Sequence, residues 1–127
     1  MKEAYQGPQK MLLCIDDSLA ILEYERRIFE QSGYIVVTAA SARLGLRLAA
    51  IYSFDAILLD YHMPEMNGHE FAHEIRRLRP ETPVVMFSGS DVPEETRQLV
   101  DAVIPKTEAH RELVPTVTRL CAGSQPS

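Results

Sequence analysis

Five short apolar runs punctuate the chain: Met11 to Ile15, Ile35 to Ala39, Ala56 to Leu59, Val84 to Phe87, and a weaker one at Ala102 to Ile104. Between them, apolar positions recur at helical period. In "SLAILEYERRIFEQSG" the stripe is Ile21, Leu22, Tyr24, Ile28 and Phe29, with Ser18 placed to cap its start and Gly33 to stop it. Ser41 caps a second helix reaching about Ile51, and Phe71, Ile75 and Leu78 stripe a third that ends before Pro80. Pro93 suits the first turn of a short fourth helix, "PEETRQLV". A fifth, with Leu113, Val114, Val117 and Leu120, contains Pro115, which must kink it or lie near a late start.

Strand-length runs alternating with helical segments predict an α/β domain, a doubly wound parallel sheet of five strands with five helices in three α/β/α layers. Such sheets hold ligands outside the carboxyl ends of their strands. Asp16 and Asp17 end the first strand, Asp60 the third and Ser88 the fourth, while Lys106 follows the fifth. The topology thus gathers onto one rim residues that are far apart in sequence.

Length and charge narrow the class. At 127 residues the chain can cover one hydrophobic core, and 46% hydrophobic with 24% charged residues suits a packed globular domain. The domain is expected over residues 10–121, with an extension at 1–9 and a flexible tail at 122–127. A net charge of −5 argues against nucleic-acid binding, and the basic stretches "ERR" (25–27) and "RRLR" (76–79) read as solvated helix faces. No apolar segment is long enough to span a membrane. Cys14 and Cys121 stand far apart, as suits a reduced cytoplasmic interior, and neither reads as a metal ligand or nucleophile.

Three carboxylates at a water-accessible cleft cannot all stay ionised without a counter-charge, and the hard cation that prefers oxygen ligands is Mg²⁺. An aspartate beside it can act as a nucleophile towards phosphorus. A lysine and a hydroxyl then stabilise the transferred group, roles that Lys106 and Ser88 fit. The histidines offer a competing metal site, because His69 and His73 at i, i+4 could hold zinc, but no third ligand stands near them. His62, His69, His73 and His110 are therefore expected to be exposed or partly packed, and Met63 and Met66 to pack their loop.

The pieces "CIDDS", "ILLDYHMPEMNG" (57–68), "VVMFSGS" (84–90) and "VIPK" (103–106) together resemble the receiver domain of two-component response regulators. The resemblance implies a flavodoxin-like strand order 2-1-3-4-5, Asp60 as phosphoacceptor, and Mg²⁺ bound directly by Asp17 and Asp60, through water by Asp16, and by the backbone carbonyl of His62. It gives Ser88 a phosphoryl oxygen to hold and Lys106 the phosphoryl group to pair with. It also implies a sensor histidine kinase or phosphotransfer protein as donor, an output protein on the helix 4, strand 5, helix 5 face, and a monomer or weak dimer. Two positions depart from the family's usual pattern. Thr107 follows the lysine where proline is usual, often after a cis bond, and Val103 stands where Tyr or Phe is common.

Each piece alone has a plainer reading: Asp-Asp-Ser as a helix cap, Asp60 as a turn residue, Lys106 as a surface lysine, "SGSD" as a turn. Their joint placement at one rim favours the chemical reading. Two other functions compete with a phosphorylation-switched receiver. One is a small phosphohydrolase working through an aspartyl phosphate, which usually places a second acid two residues after the nucleophile, where this chain has His62. The other is a pseudo-receiver used only for protein contact, which the intact acid set disfavours. A receiver is a signalling module rather than an enzyme. Valine, stiff at χ1, cannot swing in and out of a pocket as an aromatic does, so switching here is expected to travel through the segment from Ser88 to Leu99.

Overall fold

The computed structural model describes residues 9–123, without the side chains of Ala109, His110 and Gly123. The expected extension apart from Gln9, the last four residues of the expected tail, and the His110 side chain lie outside these. The elements follow in the order β1 (Met11–Ile15), α1 (Leu19–Gln31), β2 (Ile35–Ala39), α2 (Ala42–Ile51), β3 (Ala56–Asp60), α3 (Gly68–Leu78), β4 (Val84–Ser88), α4 (Glu94–Arg97), β5 (Ala102–Pro105) and α5 (Ala109–Gly123). All strand pairings are parallel, in the order β2-β1-β3-β4-β5. The doubly wound reading holds, and the third, fourth and fifth strands each run one residue further than their apolar runs.

Alternate residues of the central strands supply two cores. Leu12, Cys14, Leu58, Val85 and Phe87 face Leu22 and Phe29 of α1 and Leu113 and Val117 of α5. Leu13, Ile15, Ile57, Leu59 and Met86 face Ala42 and Ala49 of α2 and Phe71 and Ile75 of α3. A sheet covered on both faces is why these strands are apolar runs rather than alternating ones.

The helix ends follow local chemistry. Ser18 Oγ accepts from the Ile21 amide and Ser41 Oγ from the Leu44 amide. Gly33 ends α1 at φ 94°, in the left-handed region where a side chain is strained. At α3, Asn67 and Glu70 form a reciprocal capping box. Gly68, the first residue of α3, leaves no room for a side chain: a Cβ there would lie 2.8 Å from the Tyr61 Cα.

Several expectations need correction. The fourth helix is a single turn, 94–97, with Pro93 just before it, because among "PEETRQLV" only Thr96 is buried and little apolar surface holds a longer helix down. Pro115 lies inside α5, which begins well before it, so the late start is ruled out. Leu78 is 38% exposed, outside the α3 core stripe. The basic stretches are not simply solvated. Glu25 is 1% exposed. Arg76 donates to the carbonyls of Leu99, Pro80 and Thr82 and pairs with Asp101, and Arg79 donates to the Ala49 carbonyl, so both tie helix ends to neighbouring loops. Lys106 to Glu108 form a 3₁₀ turn, and the described peptide bonds are all trans.

Candidate functional site

Parallel register brings the carboxyl ends of β1, β3, β4 and β5 to one rim. Asp16 and Asp17 leave β1, Asp60 and Ser88 are the last residues of β3 and β4, and Lys106 follows β5 directly. Carboxylate oxygens of Asp16, Asp17 and Asp60 lie within 4.8 Å of one another. The Lys106 Nζ is 3.2 Å from Asp60 Oδ1 and 3.6 Å from Asp16 Oδ2, and it stands over the Phe87 ring. Asp16 and Asp60 are buried, whereas Asp17 is exposed at the mouth.

Burial sets the electrostatics. It pushes the Asp16 carboxyl above its ordinary range, against the Ser18 amide that donates to Oδ1 at 2.9 Å. Asp60 is raised for the same first reason, with Lys106 working in the opposite direction. Lys106 is itself partly buried, which would lower it, yet Asp16 and Asp60 together hold it above the usual lysine value. One lysine thus faces two buried carboxyls, and Asp16 Oδ2 is left buried without a hydrogen bond. An all-oxygen donor set, with one buried oxygen that makes no hydrogen bond and only a 3.6 Å ion pair to Lys106, fits a hard divalent cation, and the cluster is capable of holding a metal ion. Among the described residues it is the group of acidic, His or Cys side chains so placed.

The hydroxyl predicted at this rim is present but engaged elsewhere. Ser88 Oγ donates to the Ser90 carbonyl at 2.9 Å and accepts from the Ser90 amide at 3.1 Å. Ser90 Oγ in turn pairs with Nε2 of the exposed His62 at 2.8 Å. Beside Lys106, a cleft of about 450 Å³ including its open mouth is lined by Ser88, Ser90, Arg97 and Val103. His69 pairs with the buried Thr96, joining α3 to α4, so it is a partly packed histidine rather than a zinc ligand.

The predicted residues Asp16, Asp17, Asp60 and Lys106 therefore meet, and Ser88 stands at the edge of the adjoining cleft. Two groups were not foreseen. Ser90 bridges Ser88 to His62, and nothing in the local pattern marks it. Glu25 lies buried on the side of β1 that carries Cys14. Its spacing of three from Leu22 and four from Phe29 was the available signal.

Comparison with known proteins agrees with this geometry. The response regulator MprA of Mycolicibacterium vanbaalenii is 30% identical over 119 residues, covering 91% of this chain and 52% of that protein. The cell cycle response regulator CtrA of Brucella ovis is 31% identical over 78 residues, 61% of this chain and 34% of that one. The chain thus spans about half the length, or less, of these relatives. A CheY-like receiver domain protein from Methanospirillum hungatei superposes with a TM-score of 0.86 at 30% identity, covering 92% of this chain and 97% of its own. The response regulator TrrA of Thermotoga maritima, solved in complex with Mg²⁺-BeF, shares the fold at a TM-score of 0.84 and 24% identity, over 88% and 99% of the two chains. The family model "Response regulator receiver domain" matches residues 12–118, and with the acid trio and lysine gathered at its rim the chain belongs to the response regulator receiver domain family.

Proposed function

We propose that the chain accepts a phosphoryl group on Asp60 and uses it to switch protein–protein contacts. The observation that carries the reading is the Lys106 ammonium held between Asp60 and Asp16, with Asp17 completing a trio of carboxylates within 4.8 Å. An Asp60 carboxylate oxygen attacks phosphorus. The bond from phosphorus to the donor breaks, and its electron pair leaves with the donor. Lys106 neutralises charge on the transferred group, and Ser88 turns from Ser90 to donate to one of its oxygens. Asp16, Asp17, Asp60 and the His62 backbone carbonyl would hold Mg²⁺, which when bound supplies positive charge to offset the carboxylates and the phosphoryl oxygens.

The donor in this reading is a sensor histidine kinase or a phosphotransfer protein, and the output partner docks on α4, β5 and α5. The domain occupies residues 10–121, acts in the cytoplasm as a monomer or weak dimer, and touches neither nucleic acid nor membrane. Among the described residues no helix is long and apolar enough to cross a membrane.

The test is incubation with Mg²⁺ and acetyl phosphate followed by intact mass measurement. One long-lived phosphoryl adduct, absent from Asp60→Asn, is expected. Multiple turnover of phosphomonoesters would favour the phosphohydrolase instead, and no adduct at all the pseudo-receiver.

A further inference from the structure

Two neighbouring helices, α2 and α3, carry matched stripes that the proposed chemistry does not use. On α2 the small residues Ala42, Gly45 and Ala49 take the sheet side, and a Cβ at Gly45 would lie 2.6 Å from Ile15 Cδ1, so the helix sits close and its larger side chains are left outward. Among these, at every fourth position, stand Arg43, Arg47 and Ile51, all exposed. On α3, Phe71, Ala72 and Ile75 take the sheet side, while His69 and Arg76 turn to Thr96 and Leu99. The other flank, towards α2, presents Glu70, Glu74 and Leu78, again at every fourth position. One helix displays two bases and an apolar residue, its neighbour two acids and an apolar residue.

The stripes run level. Both helices return from the rim to the far end of a parallel sheet, so they point the same way. At their starts the Arg43 amide donates to Glu65 Oε1, just ahead of α3, and at their ends Arg79 donates to the Ala49 carbonyl. A groove opens between them, with Arg43 on one wall of its head and Glu65 and Met66 on the other. Neither stripe is spent within the chain. Among the described residues the guanidinium groups of Arg43 and Arg47 make no hydrogen bond or ion pair. The Glu70 side chain accepts from the Asn67 amide, and Glu74 pairs with the exposed Arg77 of its own helix, a surface pair that exchanges at little cost. Ile51 is 62% exposed.

We propose that this face binds a second copy of the chain in a two-fold dimer, with α2 of each copy laid along α3 of the other. A face of one charge sign would repel its own copy, whereas one with a basic wall and an acidic wall complements itself. A two-fold axis parallel to the helices carries each α2 over the opposite α3 in the same direction and at the same level, and every contact occurs twice. Arg43 then faces Glu70 of the partner subunit, Arg47 faces Glu74 of the partner subunit, and Ile51 meets Leu78 of the partner subunit. An axis across the helices would instead set α2 on α2 and bring four arginines together. Short stripes bury little surface, so the dimer is weak. It leaves α4, β5 and α5 uncovered and needs neither metal nor phosphoryl group, so it stands or falls apart from the function proposed above.

Sedimentation equilibrium of the full, unmodified chain, at concentrations rising to about 1 mM, measures the pairing. The wild type should associate reversibly, and less tightly as salt is added. Arg47→Glu and Glu74→Arg each set like charges together twice, so each variant alone should pair at least about tenfold more weakly. Mixed in equal amounts, the two should recover wild-type pairing, because in the mixed dimer the introduced glutamate faces the introduced arginine and the untouched Arg47 faces the untouched Glu74. That recovery also shows that both variants fold. In the wild type, amide resonances that move with concentration should cluster on α2 and α3, a readout that needs no variant. A chain that stays monomeric throughout leaves the groove to some other occupant and overturns the proposal. Pairing that neither variant weakens, or shifts clustered on α4 and α5, places the dimer on a different face, and a mixture as weak as the single variants refutes the laying of α2 on α3.

Discussion

Replacing Asp60 with asparagine tests the electrostatic account of the rim directly. The other two carboxylates lie within 4.8 Å of it, so at an effective dielectric of about 20 each ionised pair is repulsive by about 3 kcal/mol or more. The Asp17 share must be cut to about half, because that side chain is exposed and screened. Lys106 at 3.2 Å returns about 5 kcal/mol of attraction on the same scale. Repulsion and attraction nearly cancel, so the cost of burying a carboxylate that is 5% exposed decides the sign. An amide of the same shape should therefore stabilise the metal-free protein by about 1 kcal/mol, which is about 3 to 5 °C in melting temperature for a chain of this size. Burial holds both Asp16 and Asp60 above the ordinary carboxylate range, so the native state keeps protons that the unfolded chain has lost. Stability is then full below the unfolded carboxylate pKa and falls as pH rises through the raised native values. Asp60→Asn removes one of these groups, and its advantage should be largest at neutral pH and shrink towards about pH 4. Differential scanning calorimetry in chelator, at several pH values, measures this. A mutant that melts below the wild type at neutral pH would refute the reasoning.

Other consequences are open to simpler tests. Mg²⁺ should raise the wild-type melting temperature by binding only the native state, by about 1.4 kcal/mol at ten times its dissociation constant, and an equal shift in Asp17→Ala would place the metal elsewhere. Gly68→Ala forces a Cβ to 2.8 Å from the Tyr61 backbone, so a loss of about 2 kcal/mol is expected in denaturant titration, and a neutral result would mean that the loop after β3 yields freely. Arg76→Ala removes the donor to three backbone carbonyls and the partner of Asp101, and urea melts should show a loss of about 2 kcal/mol. A beryllofluoride mimic with Mg²⁺ should perturb amides from Ser88 to Leu99, fading towards Leu99 because Arg76 holds its carbonyl, while the Val103 methyls keep their rotamer; a silent segment with a two-state Val103 would reverse that route.

Much of the architecture was legible because its causes are local. Apolar runs of strand length, Ser18 and Ser41 at helix starts and Gly33 at a helix end act through nearest-neighbour chemistry, and parallel topology then carries Asp16, Asp17, Asp60, Ser88 and Lys106 to one rim. Tertiary contact decided the rest. "ERR" and "RRLR" are polar strings by composition, yet Glu25 is covered because the α1 stripe that carries it packs against β1, and Arg76 finds its carbonyls only where α3 meets the loops before β4 and β5. The fourth helix stops after one turn because its length depends on apolar surface beneath it, and Ser88 turns to Ser90 because the loop after β4 folds back within reach of its hydroxyl. Local spacing determines which residues can share a face or a strand end. Whether a polar side chain there ends in water, against a backbone carbonyl, or alone in the core depends on what the rest of the chain places above it.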